Sequence, residues 1–191
     1  MRKLLTSLLL ITSLFLFSSF SDLKAEKLIK TAFDFSFKSI EGDRFNLSAY
    51  KNKVMLVVNT ASFCAFTPQY MELQKIWDEY KGKGLVVIGV PSRDFGKQEY
   101  DDDKNIKKFC AVNFDINFPM TTLSKVSGHD AHPFYRWANN QVGFAGKPRW
   151  NFHKFLVAPD GKIVDWFSSV TEPSSEKMKK AIEIQLSLIR P

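Results

Sequence analysis

Cysteine is scarce in this 191-residue chain: there are two, Cys64 and Cys110. Two cysteines close at most one intramolecular bridge, which excludes a disulfide-dense mini-fold. With no Cys-x-x-Cys pair and no Cys/His cluster at zinc spacing, a structural zinc site is excluded too. The three histidines, His129, His132 and His153, lack metal-ligand spacing, and no cofactor is expected. Long runs of one charge are also missing. The formal net charge is +7, but it is spread thinly, so no nucleic-acid partner is expected. Past residue 25 there is no repeat, linker or break in composition. Apolar surface is what the chain has in quantity: 45% hydrophobic and 14% aromatic residues, including 18 Phe, enough for one well-packed domain.

The first 25 residues read as an address. Met1-Arg2-Lys3 is a basic start, Leu4 to Phe20 is an apolar run softened by Ser and Thr, and Asp22 to Ala25 turns polar and ends small. This is the three-part layout of a secretory signal peptide. It predicts an exported protein, periplasmic or extracellular, with the folded domain at residues 26–191. The alternative is an uncleaved membrane anchor over residues 4–20, at the short edge of what spans a bilayer. Export places the two cysteines where a disulfide can persist.

In the remainder, Phe33 to Phe37 alternates as a short strand, and Glu41-Gly42-Asp43 turns the chain into Arg44 to Leu47. Val54 to Asn59 and Leu85 to Val90 are continuous apolar runs, the mark of strands buried on both faces. Between them Thr67 suits a helix N-cap and Pro68 the first helical position, with a helix running to Lys81-Gly82. That crossover predicts parallel strands joined right-handedly. Helices are predicted over 103–112, 134–139 and 174–189, and a hairpin over 154–167 around Pro159-Asp160-Gly161. The sum is a three-layer α/β sandwich with a central mixed sheet and helices on both faces.

Cys64 falls between a buried strand and a helix start, where unpaired N–H groups and the helix dipole favour negative charge. Such a position suits a thiolate nucleophile; the plain alternative is a small apolar core residue. Three positions on stands Thr67, not cysteine, so an ordinary dithiol exchanger is disfavoured.

Three segments resemble the glutathione peroxidase family in its cysteine form. Val58-Asn59-Thr60-Ala61-Ser62-Phe63-Cys64-Ala65-Phe66-Thr67-Pro68-Gln69-Tyr70 is similar to its peroxidatic segment. Gly89-Val90-Pro91 followed by Phe95-Gly96-Lys97-Gln98-Glu99 is similar to its middle segment, and Trp150-Asn151-Phe152-His153-Lys154-Phe155-Leu156-Val157 to its last signature. The likeness runs in order over residues 30–187. It implies a thioredoxin-like fold and reduction of hydroperoxides, with Cys64 as the peroxidatic residue. Trp150 and Asn151 match the family's catalytic pair, whose indole and amide would hydrogen-bond the reacting sulfur.

The same resemblance matches Cys110, in Phe109-Cys110-Ala111-Val112-Asn113-Phe114, to the resolving cysteine of thioredoxin-dependent members. It implies a sulfenic acid on Cys64, an intramolecular disulfide with Cys110, and reduction by a thioredoxin-like dithiol or by glutathione. The plain alternative for Cys110 is a buried apolar helix residue. One position departs from the family. Asp94 stands where a Gln is usual, and an ionised carboxylate neither donates a hydrogen bond nor welcomes a thiolate. Arg93 offsets this if it pairs with Asp94 or faces the sulfur; otherwise Asp94 is a candidate proton acceptor. Gln98 is a nearby amide, but its family counterpart is not catalytic.

Only Asn139 to Arg149 separates the third predicted helix from Trp150. The insertion that builds tetramers in some members is therefore missing, which implies a monomer with an open site. Arg93, Lys147 and Arg149 lie near that site; one reading is a solvated rim, the other a peripheral contact with anionic head groups. Two other classes fit the same cysteines: a redox sensor or relay, and a non-catalytic thioredoxin-fold module with a structural disulfide.

Overall fold

The computed structural model describes residues 30–190. The leader expected over residues 1–25, with its anchor alternative at 4–20, lies outside the described residues. No helix among the described residues is long and apolar enough to cross a membrane.

The N-terminal alternation resolves into a 3-10 turn and a short strand. The Asp34 carboxylate folds back to accept the Thr31 N–H at 2.7 Å, which closes a turn over Ala32–Asp34. Strand β1 (Ser36–Lys38) follows and pairs antiparallel with β2 (Arg44–Asn46). The two apolar runs form β3 (Val54–Thr60) and β4 (Leu85–Pro91), every residue of both buried. They are parallel and are joined by helix α1 (Gln69–Tyr80). The predicted hairpin is β5 (Lys154–Val157) and β6 (Ile163–Phe167), and the sheet order is β4-β3-β5-β6.

Successive β3 side chains point to opposite faces. Val54, Leu56 and Val58 meet Leu73 and Ile76 of α1, Ile106 of α2 (Asp103–Phe114), and Met178 and Ile182 of α4 (Glu176–Leu186). Met55 and Val57 meet Phe134, Tyr135 and Ala138 of α3 (Pro133–Val142), with Phe37 of β1 beside them. The result is the mixed sheet between helical layers expected from the sequence, in a thioredoxin-like arrangement.

Two helix starts are built as their sequences require. The Asp102 carboxylate accepts the Asn105 N–H at 2.8 Å and caps α2, so the middle of the acidic run Asp101 to Asp103 serves that helix. Pro133 opens α3 behind His132, whose ring nitrogen accepts the Phe134 N–H. At α1 the expectation of a Thr67 cap is corrected, because that hydroxyl is drawn into the preceding turn.

Candidate active site

The turn between β3 and α1 is organised around Thr67. Its Oγ1 accepts the Cys64 N–H at 2.9 Å and donates to the Ala61 carbonyl at 2.9 Å, while Thr67 N–H returns to the Cys64 carbonyl at 3.0 Å. A side chain that satisfies one buried donor and one buried acceptor fixes the loop. The first N–H groups of α1, expected to be unpaired, are taken. Gln69, Tyr70 and Met71 give theirs to the carbonyls of Phe66, Thr67 and Pro68. The N–H left for the sulfur is that of Phe66, 3.5 Å from Cys64 Sγ. Cys64 is 7% exposed, just beneath the surface at the end of the sheet.

Trp150 and Asn151 arrive beside this turn because Asn59, in the last turn-facing part of β3, clamps their segment. Asn59 Nδ2 donates to the Trp150 carbonyl at 3.0 Å, and the Asn59 carbonyl accepts the Phe152 N–H. Phe152 has φ +61°, a left-handed conformation that a bulky residue adopts only under tertiary constraint. Asn151 is fully buried, and its Nδ2 donates to Gln98 Oε1 at 3.0 Å and to the Phe95 carbonyl at 3.4 Å. Trp150 is 40% exposed, its ring tilted against Phe95 at 6.1 Å.

The expected hydrogen bonds from this pair to the sulfur are therefore not formed in this state. The Asn151 amide hydrogens are taken by Gln98 and Phe95, and the sulfur's one hydrogen-bond donor among the described residues is Phe66. Gln98 makes the connection instead. Its main-chain carbonyl accepts the Phe63 N–H at 2.9 Å while its side-chain carbonyl accepts Asn151, so one residue ties the Cys64 turn to the Trp150–Asn151 segment. Sequence reasoning set Gln98 aside; the signal available was an amide four positions after the anomalous Asp94, behind a glycine turn. Gly96 at φ +70° and Lys97 at φ +53° bend the chain so that Gln98 faces inward.

Asp94 is engaged with the loop before α3 and not with Arg93. Its Oδ2 accepts the Val126 N–H at 2.6 Å, the Ser127 N–H at 2.8 Å and the Ser127 hydroxyl at 3.3 Å, closing the loop before α3. A carboxylate satisfied by three donors is a loop anchor. Arg93 pairs with the exposed Asp101 at 3.7 Å, not with Asp94.

Cys110 lies on α2, 1% exposed, in the same apolar cluster as Cys64. Both thiols are free. Burial pushes the Cys110 thiol up to about 12, the Glu99 charge acting in the same direction and the Tyr70 hydroxyl against it. On the other side of the turn, buried Lys154 donates to Gln69 Oε1 and the Thr171 carbonyl, each at 2.6 Å, and burial lowers its amine to about 7. A cleft of ≈ 290 Å³ opens beside Trp150, lined by Lys147, Arg149, His153 and Trp166. Burial, with Lys154 nearby, lowers His153 to about 4, so its ring is neutral there. No group of three or more His, Cys, Asp or Glu able to hold a metal gathers among the described residues.

The family model described as glutathione peroxidase matches residues 32–139. Glutathione peroxidase-like peroxiredoxin 2 of Saccharomyces cerevisiae is 43% identical over 147 residues, covering 75% of this chain and 90% of its own. The probable phospholipid hydroperoxide glutathione peroxidase of Mesembryanthemum crystallinum is 40% identical, covering 80% and 93%. The crystal structure of Trgpx in its apo form superposes with a TM-score of 0.68 at 35% identity, over 85% of this chain and all of the other. With more than half its length matched by the family model and relatives of this identity covered almost end to end, the chain belongs to the glutathione peroxidase family.

Proposed function

We propose that this protein is a thiol peroxidase that reduces hydrogen peroxide and organic or lipid hydroperoxides through Cys64, with Cys110 as the resolving residue. The observation that carries the reading is the placement of two free thiols in one cluster, the first in a hydrogen-bonded turn at the start of α1 and the second on the adjoining α2. Cys64 sulfur attacks the terminal peroxide oxygen; the O–O bond breaks, the alcohol leaves with a proton, and a sulfenic acid remains. Cys110 then displaces the sulfenic oxygen as water and forms the disulfide. A dithiol reductant opens it again.

Relatives named peroxiredoxin favour a thioredoxin-like dithiol, and relatives named glutathione peroxidase keep glutathione as the other candidate. The relative named for phospholipid hydroperoxide, together with the exposed Phe144 stacked under Arg149 beside Lys147, supports peripheral contact with a lipid surface. The short segment between Asn139 and Arg149 supports a monomer, and the basic-apolar-polar pattern of residues 1–25 supports export. The test is peroxide consumption by the domain of residues 26–191, coupled in turn to a thioredoxin system and to glutathione. Turnover with one of them and its loss in Cys64→Ser are expected. Equal turnover in Cys64→Ser would overturn the reading.

A further inference from the structure

Beneath the Cys64 turn lies a buried polar cluster that the mechanism above leaves unused. Glu99 is 2% exposed, which is rare for a carboxyl with no cation beside it. Its Oε1 accepts the Tyr100 N–H at 2.9 Å, and its Oε2 makes no hydrogen bond of good geometry among the described residues. Around it, Thr60 Oγ1, Ser62 Oγ and the Tyr70 hydroxyl are also buried without a full hydrogen bond, although the Ser62 hydroxyl lies close enough to favour the charged carboxylate. Four buried polar atoms that find little but one another, without a hydrogen bond of good geometry among the described residues, are costly in an apolar core.

Two of the four residues face the resolving thiol. The Tyr70 phenol of α1 faces Cys110 of α2, and the charge of Glu99 reaches both. Tyr70 packs on Phe114 of α2 at 5.3 Å, and Tyr100, next to Glu99, packs on Phe109, the residue before Cys110, at 5.9 Å. The thiolate is the nucleophile in disulfide formation, yet Cys110 sits where burial keeps it a thiol. Something must take its proton. His129 is exposed, His132 is stacked on Phe37 and His153 on Trp166; the buried Lys154 amine is held by Gln69 and the Thr171 carbonyl, and the group whose charge reaches Cys110 is the Glu99 carboxyl.

We propose that Glu99 is the proton acceptor of the resolving step, taking the Cys110 proton while the Tyr70 hydroxyl holds the emerging thiolate. The proposal rests on the peroxidase reading. In the step, Cys110 S–H gives its proton to the Glu99 carboxylate, the new S–S bond forms, and the Cys64 S–O bond breaks. The leaving hydroxide takes the proton back from Glu99, so one water is released. The Cys64 sulfur is reduced, the Cys110 sulfur oxidised, and the carboxylate restored. Burial raises Glu99 to about 7, which makes it a stronger base than an ordinary carboxylate and still partly ionised at neutral pH. The titratable groups facing it are Tyr70 from α1 and Cys110 from α2, and no basic group among the described residues shifts it.

The experiment follows the full chain after one equivalent of hydrogen peroxide, by stopped-flow tryptophan fluorescence with mass analysis of quenched samples, from pH 5.5 to 9. In the wild type the second phase, disulfide formation, accelerates as pH rises through about 7. In Glu99→Gln its rate relative to the first phase falls roughly tenfold or more and the inflection disappears; Glu99→Asp restores the inflection in part. If Cys110 instead loses its proton to solvent after α2 opens, Glu99→Gln keeps the wild-type ratio and profile, and the proposal fails. Loss of both phases in proportion in Glu99→Gln also overturns it, since that marks a structural role only. Failure of the peroxidase reading shows itself separately, as a wild type that forms no Cys64–Cys110 disulfide at all.

Discussion

The two thiols share one core cluster but live in opposite surroundings. Cys64 stands in a turn fixed by hydrogen bonds on each side of it: Thr67 holds its N–H, Phe66 points at its sulfur, and Gln98 ties its neighbour Phe63 to Asn151. Cys110 stands inside a helix, walled by Phe109, Phe114 and Tyr70, over polar atoms that lack partners. The first is held ready by a rigid frame. The second is withheld by burial and must be released, because a disulfide needs Cα atoms within about 7 Å and correctly aimed Cβ vectors. A peroxidatic residue that waits for substrate benefits from rigidity, whereas a resolving residue that must travel benefits from a helix that can open.

That contrast breaks most visibly at Cys110. Cys110→Ser is expected to reduce cycling with thioredoxin to background while leaving a burst of one peroxide per chain, read by rapid quench; undiminished cycling would remove the resolving role. Next comes Thr67→Val, which keeps the shape and deletes the hydroxyl. It leaves the Cys64 N–H and the Ala61 carbonyl unpaired in a buried turn, at about 1–3 kcal/mol in urea unfolding, and slows the first oxidation phase. An unchanged first phase would show that the Cys64 frame is not what readies it. The smallest effect is expected at Asp94. Asp94→Asn retains an acceptor but gives up the charge-assisted bonds to Val126 and Ser127, costing about 1 kcal/mol, with peroxide oxidation of Cys64 left near the wild-type rate. A collapse of that rate would return Asp94 to the site.

Much of the architecture was legible because it rests on short-range rules. Continuous apolar runs named β3 and β4, and Pro159-Asp160-Gly161 marked the hairpin turn. The errors fell where a side chain had a long-range alternative. Thr67 looked like a cap, but the Ala61 carbonyl and Cys64 N–H outcompeted the helix for its hydroxyl. Asp94 looked like a substitute at the reacting centre, but two N–H groups more than thirty positions away claimed it.

The candidate site divides the same way. Local order in the chain decided that a cysteine would sit between a buried strand and a helix, and that Trp150 and Asn151 would precede a strand, since propensity and burial pattern act over a few residues. Only the folded chain decided that Gln98 would bridge the two segments, and that Glu99 would be sealed beside Tyr70 and Cys110. Those neighbours are set by how the sheet and helices pack across long sequence separations, and desolvation, which raises both Glu99 and Cys110, exists only once that packing is complete.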